Sequence, residues 1–255
     1  TSRKILDQLQ PAPINHSNIN KIQMSLEDSA RKKFETLKSN ISKNYIRPPV
    51  YKQNSTKTGR LTVSSGPNIL TMPSEWKSII KNARQIDFVS MEPMLLMALS
   101  GKKIPTDVYG WIKDELNLKE SRSRVKILTI ISMYGGKDNK TTRRIDELLG
   151  IPERLKMIEA ERKDGFIFNS FGRPINVSDE IKGRHLFALW LQSSAVDASL
   201  MGFSNFLKDN PKINPHWIIH DGLLFTGECN NTSSIFINDQ ISLPVTIEDL
   251  ENVDN

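Results

Sequence analysis

Two aspartates stand out by their surroundings. Asp87 follows Ile86 at the start of an apolar stretch, IDFVSM, and Asp221 sits between the apolar halves of WIIHDGLLF, at what reads as a tight hairpin. An acid in such a setting is costly to bury unless a cation or hydrogen bonds offset its charge. Hard divalent cations such as Mg²⁺ take carboxylate oxygens as ligands, so two such acids brought together would make a metal site. Each alone reads equally well as a turn aspartate, and spacing does not pair them. A second group is cationic: Arg122 and Lys126 are four residues apart, on one helix face, and Tyr134 follows eight beyond. Such cations can neutralise anionic oxygens, although exposed helical Lys and Arg are most often simply solvated.

The elements that must position these residues follow from periodicity. Leu26, Ala30, Phe34, Leu37 and Ile41 recur at helical spacing, which predicts a helix of about five turns from Ser25 to Asn44, with Ser25 and Asp28 placed like a capping box. The stretch before it, through Asn20, has no apolar period and reads as an arm or linker. Residues 58–73 are short β-prone pieces punctuated by Gly, Ser and Pro. A buried strand at IDFVSM runs into an apolar helix, EPMLLMALS. Residues 106–118 and 121–135 read as helices, 141–163 as helical and charged, and 165–175 as a hairpin. A long helix at Arg184–Leu207 and a strand-turn-strand at Trp217–Phe225 complete an α+β order of elements.

Composition bounds the function. A single cysteine, Cys229, excludes an intramolecular disulfide and a CxxC metal cage. No uninterrupted apolar run reaches the roughly 18 to 20 residues of a membrane span, and the first residues lack the apolar centre of a signal peptide. The expectation is a soluble intracellular protein, in cytoplasm or nucleoid, with no membrane partner. The formal charge is +6, but residues 1–60 hold 12 Lys and Arg against 4 acids, whereas residues 228–255 hold 6 acids and no Lys or Arg. A basic segment suits a phosphate backbone, because neutralising phosphates releases condensed counterions.

Taken in order, the motifs resemble those of family A (DNA polymerase I-type) DNA polymerases. DFVSME, from Asp87 to Glu92, is similar to the first palm motif. RSRVKILTIISMYG matches the fingers pattern at Arg122, Lys126, Tyr134 and Gly135, and IIHDGLLF the third motif. TGRLTVSSGPN, with Arg60, resembles the stretch preceding the palm, and Arg184, Gln192 and Asp197 reproduce the spacing of the long palm helix. GFIFNSFGRPI looks like the family's Gly-aromatic hairpin. The similarity covers roughly residues 55–227.

The resemblance implies an α+β right-hand fold, a palm with an antiparallel sheet and a helical fingers insertion. Its divisions are an N-terminal arm and basic helix at 1–54 (a thumb remnant), palm at 55–118, fingers at 119–179, and palm with an acidic tail at 180–255. Asp87 and Asp221 are the implied ligands of two Mg²⁺ ions, with Mn²⁺ as a substitute. Arg122 and Lys126 would meet the triphosphate of a dNTP. Tyr134 would stack on a base, with Gly135 allowing close backbone approach, and Glu92 would close the sugar pocket against a ribose 2′-OH. His220 would bond the primer terminus, while Arg60, Arg184 and Gln192 would track primer-template DNA.

Three departures from the family pattern bear on these roles. Gly222 replaces the Glu after the motif Asp, Pro93-Met94 follow Glu92 where an Arg is expected two beyond, and Ile130 replaces the aromatic residue facing the sugar. The chain is also short for a complete thumb and leaves no room for a proofreading exonuclease. It is therefore expected to be a minimal polymerase, or the catalytic part of a split one whose partner subunit supplies the thumb or exonuclease. The competing readings are a ribonucleotide-using single-subunit polymerase or primase-like relative, which Glu92 opposes, and a catalytically inactive DNA-binding scaffold.

Overall fold

A strand whose alternate residues are apolar, followed by a hairpin apolar on both arms, calls for a sheet with at least one face fully buried. The computed structural model, which describes residues 2–136 and 139–250, contains that sheet. Glu251 and Asp254, the last acids of the negative C-terminal segment, lie outside the described residues. The N-terminal part holds α1 (Ser2–Leu6), β1 (Ala12–Pro13), α2 (His16–Ser25), α3 (Asp28–Lys38), β2 (Ile41–Ser42), β3 (Tyr45–Ile46), β4 (Val50–Lys52) and β5 (Thr62–Ser65). A 3₁₀ turn at Ser74–Ile79 leads into β6 (Arg84–Phe88) and α4 (Met91–Leu99). A helical region follows, with α5 (Val108–Glu115), α6 (Arg122–Tyr134), α7 (Lys140–Leu149) and α8 (Ile151–Ala160), then the hairpin β7 (Phe166–Phe168) and β8 (Pro174–Asn176). The chain returns through α9 (Gly183–Asp209), β9 (Asn214–Ile219), β10 (Gly222–Thr226), β11 (Ser234–Asn238) and β12 (Ile241–Asp249).

The central sheet has the order β11-β12-β6-β10-β9 and is antiparallel throughout. Residues paired across it share a face, so its two faces can be read from the register. Ile86, Phe88, Ile218, Leu223, Phe225 and Val245 turn to the larger core, with residues of α4, α9 and the helical region. Gln85, Asp87, Trp217, Gly222 and Leu224 turn the other way. There Trp217 and Leu224 are covered by a smaller core built from Ile14, Ile19, Phe34 and Trp76, leaving the Asp87 end of that face uncovered by it. The fully apolar hairpin is thus apolar because both its faces are buried.

By length and composition α9, 27 residues long, could cross a bilayer, but most of it is buried in the protein. It packs tightly on the sheet at Gly202, where an added Cβ would lie 2.7 Å from the Phe88 ring and 2.8 Å from Ile237 Cδ1. Any side chain there would push helix and sheet apart.

Three expectations are corrected. The opening stretch through Asn20 is not an unstructured arm: Ile5, Ala12, Ile14 and Ile19 are buried, and α1, β1 and part of α2 form around them. Isolated apolar residues between Pro and Asn carry no period, so their burial leaves no periodic mark. The helix foreseen from Ser25 to Asn44 is shorter. The Ser25 hydroxyl donates back to the Ile22 carbonyl at the end of α2, α3 ends at Lys38, and Ile41 begins a strand. Residues 141–163 form two helices because Gly150, at φ +70°, closes α7 and opens α8, with Pro152 in the new first turn.

Candidate active site

Asp87 lies directly across the β6–β10 ladder from Gly222, and Asp221 is the preceding residue, in the turn joining β9 to β10. The Phe88 amide donates to the Asp221 carbonyl at 3.2 Å, locking that turn to the end of β6. His220, the turn's other residue, is exposed and left-handed at φ +55°. The two acids therefore meet at adjacent strand ends. Burial, and then the charge of Asp221, push the Asp87 carboxyl up to about 6, while a hydrogen bond from Gln85 works against the shift. Among the described residues no cluster of three or more His, Cys, Asp or Glu side chains forms. Two carboxylates that repel each other at a half-buried site are a donor set that a divalent cation suits.

Beside the pair opens a cavity of about 470 Å³ whose lining includes Arg60, Glu92, Gln192, His220 and Asp221. Glu92 stands in the first turn of α4, directly after the end of β6, and accepts a hydrogen bond from the Tyr134 hydroxyl. Arg60 Nη2 lies 3.5 Å from the same carboxylate oxygen. Burial, then the Glu92 charge, hold the Tyr134 phenol well above its ordinary range, so it remains a donor. Gln192 also bonds Tyr134. Four motifs distant in sequence thus converge on one carboxylate and one phenol.

Along α6, Arg122, Lys126, Ile130 and Tyr134 are each four residues from the next, and the first three are exposed. Arg122 is not free: it makes a bidentate pair with Asp107 (Nε to Oδ2 2.6 Å, Nη2 to Oδ1 2.8 Å). That hydrogen bonding holds the Asp107 carboxyl below its usual range. Asp107 also caps α5, and the Tyr109 ring lies 5.4 Å from the Arg122 guanidinium and 6.0 Å from the Lys126 ammonium. Arg184 sits away from the cavity lining, its guanidinium bound to the Asp146 carboxylate and the Ser132 carbonyl, so it ties α9 to α6 and α7. Asp197 accepts a bidentate pair from Arg173, fixing the β7–β8 hairpin to α9.

Several contributors escaped the sequence reading. Gln85 donates to Asp87 Oδ2 at 2.7 Å and accepts from Lys77 Nζ at 2.8 Å. Its position two before Asp87 on a strand was a usable signal, since residues two apart share a face. Tyr51 accepts from the Ile218 amide (2.8 Å) and donates to the Ile218 carbonyl (2.7 Å), satisfying the outer edge of β9 just before the His220-Asp221 turn. Nothing in the sequence marks that pairing.

No family model matches the chain, and no curated protein matches it. Among solved structures, the fold is similar to the POL domain of Pol1 from M. smegmatis in complex with DNA primer-template and dNTP. The TM-score is 0.61 and the identity 13%, over 88% of this chain and 51% of that one. The chain thus spans about half the length of that structure. Its α+β architecture, an antiparallel sheet with a helical region between β6 and β9, is similar to that of this neighbour.

Proposed function

We propose that this chain is a template-directed DNA polymerase that adds deoxynucleotides to a primer 3′-OH. The observation that carries the reading is the meeting of Asp87 and Asp221 on adjacent strand ends, beside a cavity that also gathers Arg60, Glu92 and Gln192. The fold likeness to a domain complexed with primer-template and dNTP supports it. Asp87 and Asp221 would hold Mg²⁺, or Mn²⁺ in its place. Bound there, a pair of such ions supplies activation of the primer oxygen and neutralisation of the triphosphate.

The remaining roles belong to the chain's own side chains. Glu92, held by Tyr134 and approached by Arg60, presents a fixed carboxylate wall where a ribose 2′-OH would otherwise fit. Lys126, exposed on α6, would meet phosphate oxygens as a mobile point charge. Arg122 would join it through the guanidinium N–H groups that its Nε and Nη2 pair with Asp107 leaves over, so that one guanidinium bridges Asp107 and a phosphate. His220, exposed beside Asp221, suits the primer terminus, and Gln192 and Arg60 suit the minor-groove edge of the nascent pair. A thumb carried by other residues or another subunit would add to the grip on duplex DNA.

Primer extension tests the reading directly. The native chain with Mg²⁺ and dNTPs is expected to extend a primed template, and Asp221→Asn is expected to abolish extension while retaining DNA binding. Preference for rNTPs would move the assignment to a ribonucleotide-using relative. The second reading, an inactive DNA-binding scaffold, draws on Gly222 and on the engagement of Arg122 by Asp107. DNA binding with no incorporation by the native chain would establish it.

A further inference from the structure

The position opposite Asp87 is occupied by Gly222, and the space a side chain would fill there is already taken. A Cβ built on Gly222 would fall 2.7 Å from Gln85 Nε2 and 3.2 Å from Asp87 Oδ2. Gln85 is almost fully buried, and chemistry fixes which way its amide points. Lys77 can only donate, so the amide oxygen faces the ammonium at 2.8 Å and the NH₂ faces the carboxylate at 2.7 Å. The result is a directed chain of donors from the 3₁₀ turn, through β6, to one oxygen of Asp87. Among the described residues, the bond from Gln85 is the one side-chain hydrogen bond that Asp87 receives.

We infer that Gln85, oriented by Lys77, is a positioning residue that fixes the Asp87 carboxylate for cation binding from the place a side chain at 222 would need. The inference rests on the proposed metal role of Asp87 and Asp221. Its physical basis is that a ligand carboxylate bonded through one oxygen is restricted in rotation and presents the other consistently. A neutral amide in this place also adds no charge to those of Asp87, Asp221 and the more distant Glu248, and Lys77 behind it supplies a positive charge without touching the ligands. Gly222 and Gln85 are thereby linked: a larger residue at 222 requires the Gln85 amide to leave its place on Asp87 or a smaller residue to stand at 85.

The test is Mn²⁺ binding to the purified chain, followed by the electron paramagnetic resonance signal of free Mn²⁺, without nucleotide or DNA. Gln85→Ala is expected to weaken Mn²⁺ binding about tenfold, the usual loss when a partner of a metal ligand is removed. Lys77→Met should shift binding in the same direction, and Lys77→Arg should restore it. Gly222→Glu is expected to harm binding in the native background and to recover it in the Gln85→Ala background, where the space is vacated. If Gln85→Ala binds Mn²⁺ within about twofold of the native chain, the residue merely packs and the positioning role is overturned. If the native chain binds no Mn²⁺ at all, the metal reading of Asp87 and Asp221 fails, and this inference with it.

Discussion

Asp87 carries an electrostatic cost that should be visible without any substrate. Its folded-state value of about 6 lies above the ordinary 3.8, chiefly through burial and then through the charge of Asp221. Between those values the folded protein holds a proton that the unfolded chain has released. Raising the pH through about 4 to 6 therefore removes stability from the metal-free protein, and the loss is complete above about 6. Melting temperatures in EDTA should fall across that window, and added Mg²⁺ should restore stability at pH 7 to 8. Asp87→Asn, which cannot ionise, is expected to melt higher than the native chain in EDTA at pH 8 and to show no response to Mg²⁺. Glu92 supports a separate prediction. Its carboxylate is held by the Tyr134 hydroxyl beside the cavity, so Glu92→Ala should open room for a 2′-OH. Competition of rNTPs against dNTPs in primer extension should then shift toward ribonucleotides by on the order of tenfold, or ~1.4 kcal/mol of discrimination.

Among the elements, β9 is an edge strand whose outward amide and carbonyl at Ile218 have no strand to pair with. Tyr51 supplies both partners from β4, and its own hydroxyl is buried enough to stay protonated. Tyr51→Phe would leave two buried backbone groups unsatisfied, at a cost of about 1–3 kcal/mol. Urea unfolding should record that loss, and faster hydrogen exchange at the Ile218 amide should localise it beside the His220-Asp221 turn. The same strands show what the sequence could and could not reveal. The hairpin around Asp221, the strand before Glu92 and the helices at α6 and α9 were legible because each has an unbroken apolar period or a motif of fixed spacing. The pairs Tyr51–Ile218, Lys77–Gln85 and Arg122–Asp107 were not, since each is a contact made only once separate elements have packed. The N-terminal layer was missed for a related reason: its apolar residues are scattered singly, and their burial depends on Trp217 and Leu224 arriving from the far end of the chain.

Across the whole molecule, sheet order converts an uneven sequence charge into an uneven surface. The basic N-terminal elements pack on the β9–β10 side, whereas the acidic segment supplies β11 and β12 at the opposite edge. The residues between β4 and β5 sit at the cavity, with Thr56 and Arg60 in its lining and exposed Lys57 between them. On the proposed function, a duplex drawn by this field would lie along the basic edge, with its reacting end at Asp221 and its backbone away from β11. Binding should then weaken steeply with salt, because each neutralised phosphate releases a counterion. Lys57→Ala is expected to lower affinity for primer-template DNA and reduce the slope of log affinity against log salt by about 1, the signature of one lost phosphate contact. Asp239→Ala, at the acidic edge, should leave the slope unchanged. Fluorescence anisotropy with labelled primer-template at several salt concentrations distinguishes the two edges. Equal effects of the two substitutions would mean that the duplex does not follow the basic side of the sheet.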